Sequence, residues 1–119
     1  MISLPRLKKR HEFVKVAQAG SYISRSTLVV QSLNHENAEP GLGFRVGFTA
    51  SKRVGNSVKR NKAKRRMREV VRLWAKEIGT LPGCDLVIIA KAALVTASFI
   101  KVQDDFKKSL INLQVIECS

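Results

Sequence analysis

The sequence predicts an α+β domain in which helices cover one mixed β-sheet. Three stretches carry that prediction. "GFRVGFTAS", 43–51, alternates apolar and polar residues with the period of a strand. "DLVIIA", 85–90, is a continuous apolar run of strand length, as expected of a central strand buried on both faces. Between them, residues 57–77 repeat apolar side chains at helical spacing. The 119 residues suit one domain spanning 1–119, and 45% hydrophobic composition is enough for a core without staples.

The elements follow in chain order. Residues 1–7 read as a flexible arm, because Pro5 interrupts any early helix. "KRHEFVKVAQA", 9–19, reads as a short helix with Phe13, Val16 and Ala17 on one side and Gly20 as its stop. "YISRSTLVVQSL", 22–33, is rich in β-branched and aromatic residues and reads as a strand that could bend into two. "NHENAEPG", 34–41, is a polar turn or loop. In 43–51, Phe44, Val46, Phe48 and Ala50 share one face, and Arg45, Gly47, Thr49 and Ser51 share the other. The polar face has a gap at Gly47, where something can approach the backbone closely. "VGNS", 54–57, supplies Asn56 and Ser57 as N-cap candidates for the helix. "TLPG", 80–83, ends that helix. The last helix, 98–114, presents Val102, Phe106, Leu110 and Leu113 to the sheet. The expected order is α-β-β-(β)-α-β-α.

Charge is distributed very unevenly. "KRVGNSVKRNKAKRRMREVVR", 52–72, holds ten Lys or Arg and one acid, Glu69, a net +9 of the chain's +13. A pI near 10.5 points to a polyanionic partner. At 100° per residue, Ala63, Met67, Val70, Val71 and Trp74 gather on a core-facing arc, with Trp74 as core. Beside that arc Asn61, Lys64, Arg65, Arg68 and Arg72 form a stripe at steps of three and four, with Arg60 at the edge of the first turn. Neighbours on a solvated face usually alternate in sign, whereas here they repel. A partner that supplies the missing negative charge relieves this. Three of the four cations on the stripe are Arg, whose planar fork grips phosphate better than a lysine point charge does. The apolar arc is needed to cover the sheet, which argues against a membrane-surface helix. Lys52 and Arg53 lead into a helix N-terminus whose free N–H groups can hold a phosphate, so turn and stripe make one docking surface.

Other chemistry finds little support. Nine acids do not form the carboxylate cluster that two-metal hydrolysis needs. The pair Asp104-Asp105 reads as a solvated face. Glu69 faces away from the stripe and has Lys62, Arg65, Arg66 and Arg72 in reach. His11 and His35 read as isolated and exposed. Cys84 and Cys118 fit no metal spacing and imply a reducing cytoplasm. No apolar run is long enough for a membrane span, and the N-terminus lacks a signal-peptide core. Tyr22 stays open, as does the choice at Arg45 between contacting a ligand and solvating its strand. A basic ribosomal or RNA-chaperone protein is the main rival to an enzymatic role. Recognition of DNA in the major groove lacks base-reading residues at a helix N-terminus and a dimer surface.

With these residues in view, the chain resembles the protein subunit of bacterial ribonuclease P. The resemblance rests on Gly55-Asn56-Ser57-Val58, Arg60-Asn61, Lys64-Arg65 and Arg68 in fixed spacing. It extends to "LPRLKKRHEF", "RVGFTASKR" and "DLVIIAK". It implies a fold like the second domain of ribosomal protein S5, with a left-handed βαβ crossover around the basic helix. It also implies an endoribonuclease whose RNA subunit, with Mg²⁺ held mainly by RNA, removes the 5′ leader of precursor tRNA. By the same resemblance Arg60, Asn61, Lys64, Arg65 and Arg68 bind the catalytic RNA, with Lys52 and Arg53 leading in and Arg72 closing the stripe. A cleft with Phe13 on the first helix and Gln31, Arg45, Gly47 and Thr49 on the sheet receives the leader. Neither DNA nor membrane is an expected partner. The chain departs from the family at Ala17 and Gln31, where many members carry further aromatics, which leaves base stacking in the cleft to Phe13.

Overall fold

The computed structural model describes residues 4–35 and 43–115. The polar loop expected at 34–41 therefore lies largely outside the described residues. Seven main elements follow in order: α1 (Arg10–Ala19), β1 (Ser21–Ser24), β2 (Leu28–Asn34), β3 (Arg45–Thr49), α2 (Ser57–Ile78), β4 (Cys84–Ala90) and α3 (Phe99–Asn112). Two 3-10 turns, Lys52–Val54 and Ala92–Val95, precede α2 and α3. The strands form one mixed sheet in the order β1-β2-β4-β3. β4 is central, antiparallel to β2 and parallel to β3, and α2 links the parallel pair. β4's apolar run is explained by burial on both faces. Leu86 and Ile88 join the main core, and Val87 joins a smaller cluster with Leu7 and Val16.

That division fixes the layers. α2 and α3 cover one face of the sheet and α1 lies across the other. In the main core Trp74 sits between Phe44 and Phe106, with ring centroids 5.6 and 5.5 Å away and the Phe106 contact edge-on. Cys84 is buried in this core, and burial above all pushes its thiol up to about 12, so it is chemically quiet.

Three expectations need correction. Residues 5–7 are not a loose arm. Leu7 N–H donates to Val46 O and Val46 N–H to Pro5 O, each at 3.0 Å, so the segment pairs in parallel along the free edge of β3. Leu7 is buried beneath α1, and the Arg6 guanidinium lies 5.3 Å from the Phe48 ring centre. Second, Asp105 is not solvated but 2% exposed. Its Oδ2 accepts from Thr27 N–H (3.1 Å), Thr27 Oγ1 (2.6 Å) and Ser26 Oγ (3.2 Å). It thereby ties α3 to the turn that divides 22–33 into β1 and β2. Third, His35 is buried rather than exposed, with Nε2 2.8 Å from Asp85 Oδ1.

Candidate nucleic-acid interface

The basic surface begins at the turn before α2. Ser51 Oγ accepts from Arg53 N–H at 3.3 Å, and buried Val54 anchors the 3-10 turn, leaving Lys52 and Arg53 exposed. Gly55 follows with φ of +140°, a conformation that L side chains rarely adopt. Asn56 is the N-cap, its Oδ1 accepting from Lys59 N–H at 3.0 Å, and Ser57 is the first helical residue.

Along α2, Ala63, Met67, Val70, Val71 and Trp74 are buried, as the helical spacing predicts, and Ala75 joins them. Asn61, Arg65 and Arg68 are exposed, and Arg60 and Lys64 are half-exposed. Arg60 Nε is enclosed and has no acceptor among the described residues. Two cations of the run are spoken for. Arg72 donates through Nε to Glu69 Oε2 at 3.0 Å and through its terminal nitrogen to Oε1 at 2.5 Å. The Arg72 bond holds the Glu69 carboxyl below its usual range, and Glu69 raises Arg72 in return. Arg66 turns the other way and donates to the carbonyls of Leu94, Val95 and Ala97, fastening the second 3-10 turn to α2. Its position, three residues after Ala63 and four before Val70, put it on the margin of the apolar arc. That spacing was the available signal for its inward role.

The opposite face of the sheet carries the second surface. Glu12 sits in the first turn of α1, where Oε1 accepts from the N–H groups of Lys9 (2.8 Å) and Lys8 (3.0 Å). These bonds, Lys9's first, together with the Arg45 charge hold its carboxyl below the usual range. Glu12 Oε2 also accepts from Arg45 at 2.9 Å, and Arg45 grips Asp85 with two bonds of 2.8 Å. Glu12, Arg45 and Asp85 thus form a chain of charges that fastens α1 to β3 and β4, with His35 Nε2 beside Asp85. Of the two alternatives at Arg45, the simple solvated strand is not what the structure has. The guanidinium belongs to this internal network.

Gly47 and Phe13 also meet within the protein. A Cβ built on Gly47 would lie 2.5 and 2.6 Å from Phe13 Cε1 and Cζ. What approaches the Gly47 backbone is thus the Phe13 ring, half-buried beside Leu7, Val16 and Val87. Gln31 opposes Val87, which opposes Gly47, so the three form one row across the sheet. Thr49, Ile89 and Val29 form the next row on the same face. α1 covers the rows that contain Asp85 and Val87, and the next row, Val29–Ile89–Thr49, is half-exposed beside it.

The family model described as ribonuclease P matches residues 2–114. A relative from Gluconacetobacter diazotrophicus, a ribonuclease P protein component, is 41% identical over 105 residues, covering 88% of this chain and 87% of its own. Its counterpart from Caulobacter vibrioides is 38% identical over 112 residues, 94% of this chain and 72% of its own. The solved ribonuclease P protein of Staphylococcus aureus superposes with a TM-score of 0.78 at 25% identity, over 97% of this chain and all of its own. That of Thermotoga maritima gives 0.71 at 25% identity, over 95% and 98%.

Proposed function

This chain belongs to the ribonuclease P protein family, a protein component of the tRNA-processing endoribonuclease, and from that premise we propose how it works there. The exposed cations of the Lys52–Val54 turn and α2 dock on the catalytic RNA. The cleft between α1 and the sheet takes the single-stranded 5′ leader of precursor tRNA. Bond cleavage belongs to the RNA subunit with its Mg²⁺, in the bacterial cytoplasm.

The observation that carries this reading is the asymmetry of charge. On α3 each lysine has a carboxylate: Lys101 with Asp105, Lys108 with Asp104, and Lys107 with Glu77 of α2. On α2 only Arg72 is offset within the helix, and Arg60, Lys64, Arg65 and Arg68 form no ion pair among the described residues. Local repulsion of that kind is relieved by phosphates. A ribosomal or chaperone role would use the same charges but has no support from the relatives.

The protein's own side chains do not fit a magnesium site. Among the described residues no three His, Cys, Asp or Glu gather within reach of one ion. Asp85, Asp105, Glu12 and Glu69 are each engaged by cations or backbone N–H groups. The protein's part in this reading is to position RNA and substrate. Reconstitution tests the assignment. Purified protein should leave precursor tRNA intact, and adding bacterial ribonuclease P RNA at low Mg²⁺ should give the mature 5′ end. Metal-dependent cleavage by RNA-free protein would overturn it.

A further inference from the structure

The chain has seven aromatic residues, and among them only Tyr22, its sole tyrosine, is exposed, at 71%. Its position is specific. Tyr22 opposes Gln31 in the β1–β2 register, so it extends the row Gly47–Val87–Gln31 to the edge strand of the sheet. Phe13 stands at one end of that row and Tyr22 at the other. Three strand spacings separate Tyr22 from Gly47, about 14 Å, with Val87 between them buried under α1. Two residues further along β1, Ser24 faces the same side, and its Oγ accepts from Lys91 Nζ at 2.6 Å. Lys91 directly follows β4, in phase with Val87 and Ile89, and its backbone N–H donates to Thr27 O at 3.0 Å. No carboxylate pairs with Lys91 among the described residues. An open aromatic ring and an unoffset ammonium thus stand together on the cleft side of the edge strand. Ser24 and Gln31 supply polar groups beside them, and Val29 and Ile89 follow on the next two strands. That setting suits the face of a base and its phosphate better than the apolar patch of a protein partner.

We propose that Tyr22, with Lys91 positioned by Ser24, forms a second nucleotide site for single-stranded RNA at the β1 end of the cleft, binding a different base from the one at Phe13. The inference rests on the reading that the leader occupies this cleft, and the test separates the two. Holoenzyme is assembled with wild-type protein, Tyr22→Ala, Tyr22→Phe and Phe13→Ala, and its affinity is measured for precursor tRNAs with stepwise shortened leaders and for mature tRNA. Tyr22→Ala should weaken precursor binding about fivefold or more, the low end of one lost stacking contact. Tyr22→Phe should bind as wild type, because the ring does the stacking. As the leader shortens, the Tyr22 and Phe13 losses should disappear at different lengths, since Tyr22 stands on the edge strand β1 and Phe13 reaches from α1 over Gly47 of β3. Lys91→Ala should shallow the log–log salt dependence by roughly 0.7. Phe13→Ala weakening while Tyr22→Ala binds normally at every length would overturn the second site alone. Normal binding by both would overturn the leader reading with it. A Tyr22→Phe loss as large as that of Tyr22→Ala, or an equal loss for mature tRNA, would rule out stacking of a leader base.

Discussion

Phe13 shows how one residue can serve packing and recognition together. Its ring fills the space over Gly47 that a Cβ would occupy, and it is only half-buried, so part of it stays accessible. Phe13→Ala should weaken precursor tRNA binding by about 5- to 150-fold, the worth of one stacked base. It should also lower stability, by less than the roughly 3–5 kcal/mol of a fully buried phenylalanine. Titration calorimetry with holoenzyme and thermal melting of the free protein read the two effects separately. Asp105 is the residue to watch in acid. Burial works to raise its pKa, but the hydroxyl of Thr27, Lys101, the Thr27 N–H and Ser26 outweigh it and hold the carboxyl below its usual range. A depressed folded pKa contributes stability above the unfolded value of about 3.9, and this is lost as pH falls through the folded value. Asp105→Ala should cost about 1–3 kcal/mol for each buried donor left without an acceptor. Melting temperature against pH should show the gap between wild type and Asp105→Ala closing below about pH 4. A gap that stays constant into stronger acid would contradict this. The sequence placed Arg45, Gly47 and Thr49 on one polar face, because strand period alone decides that, whereas Gln31 was assigned to the same side only through the family resemblance. It could not place Asp105, His35 or the partners of Arg45. Thr27 lies 78 residues from Asp105, and Asp85 lies 40 from Arg45, so no local pattern marks these bonds.

At the scale of the element, α2 divides its cations among three jobs that charge counting cannot separate. Arg66 holds three carbonyls of the turn before α3, Arg72 is offset by Glu69, and Arg65 and Arg68 face outward. Three outcomes follow for alanine variants. Arg66→Ala should lower the melting temperature, because three carbonyls lose a charged donor at about 1.5–3 kcal/mol for such a bond. Arg65→Ala and Arg68→Ala should melt as wild type yet weaken RNA binding. Arg72→Ala should weaken it less, since Glu69 already competes for that guanidinium. Circular-dichroism melts beside filter-binding titrations check all four, and a stable Arg66→Ala with poor RNA binding would reverse the assignment. The helix itself was legible from its apolar spacing and its Asn56 cap. The division of labour was not, apart from Arg66 lying at helical spacing from Ala63 and Val70. α1 was legible as a helix, but its mooring was not. That mooring comes from Glu12 and Arg45, and from residues 5–7 completing the sheet edge, where Pro5 suggested only a loose arm.

Across the whole molecule, two surfaces back onto a single sheet. The α2 side carries the exposed Arg65 and Arg68, and the α1 side carries Phe13 over Gly47 and the exposed Tyr22 on the edge strand. A mixed sheet makes this possible, because β4 is buried on both faces and β3 turns Arg45, Gly47 and Thr49 to the α1 side. The claim that matters most is that the outward cations of α2 are the docking surface for the catalytic RNA. The direct measurement is the affinity of bacterial ribonuclease P RNA for wild-type protein and for the Arg65→Ala/Arg68→Ala double variant across a salt series. If both side chains contact phosphate, the double variant binds more weakly and its log–log slope is shallower by roughly 1.4–1.8, at about 0.7–0.9 for each contact. A double variant that folds normally and matches wild type in both affinity and slope would contradict the account.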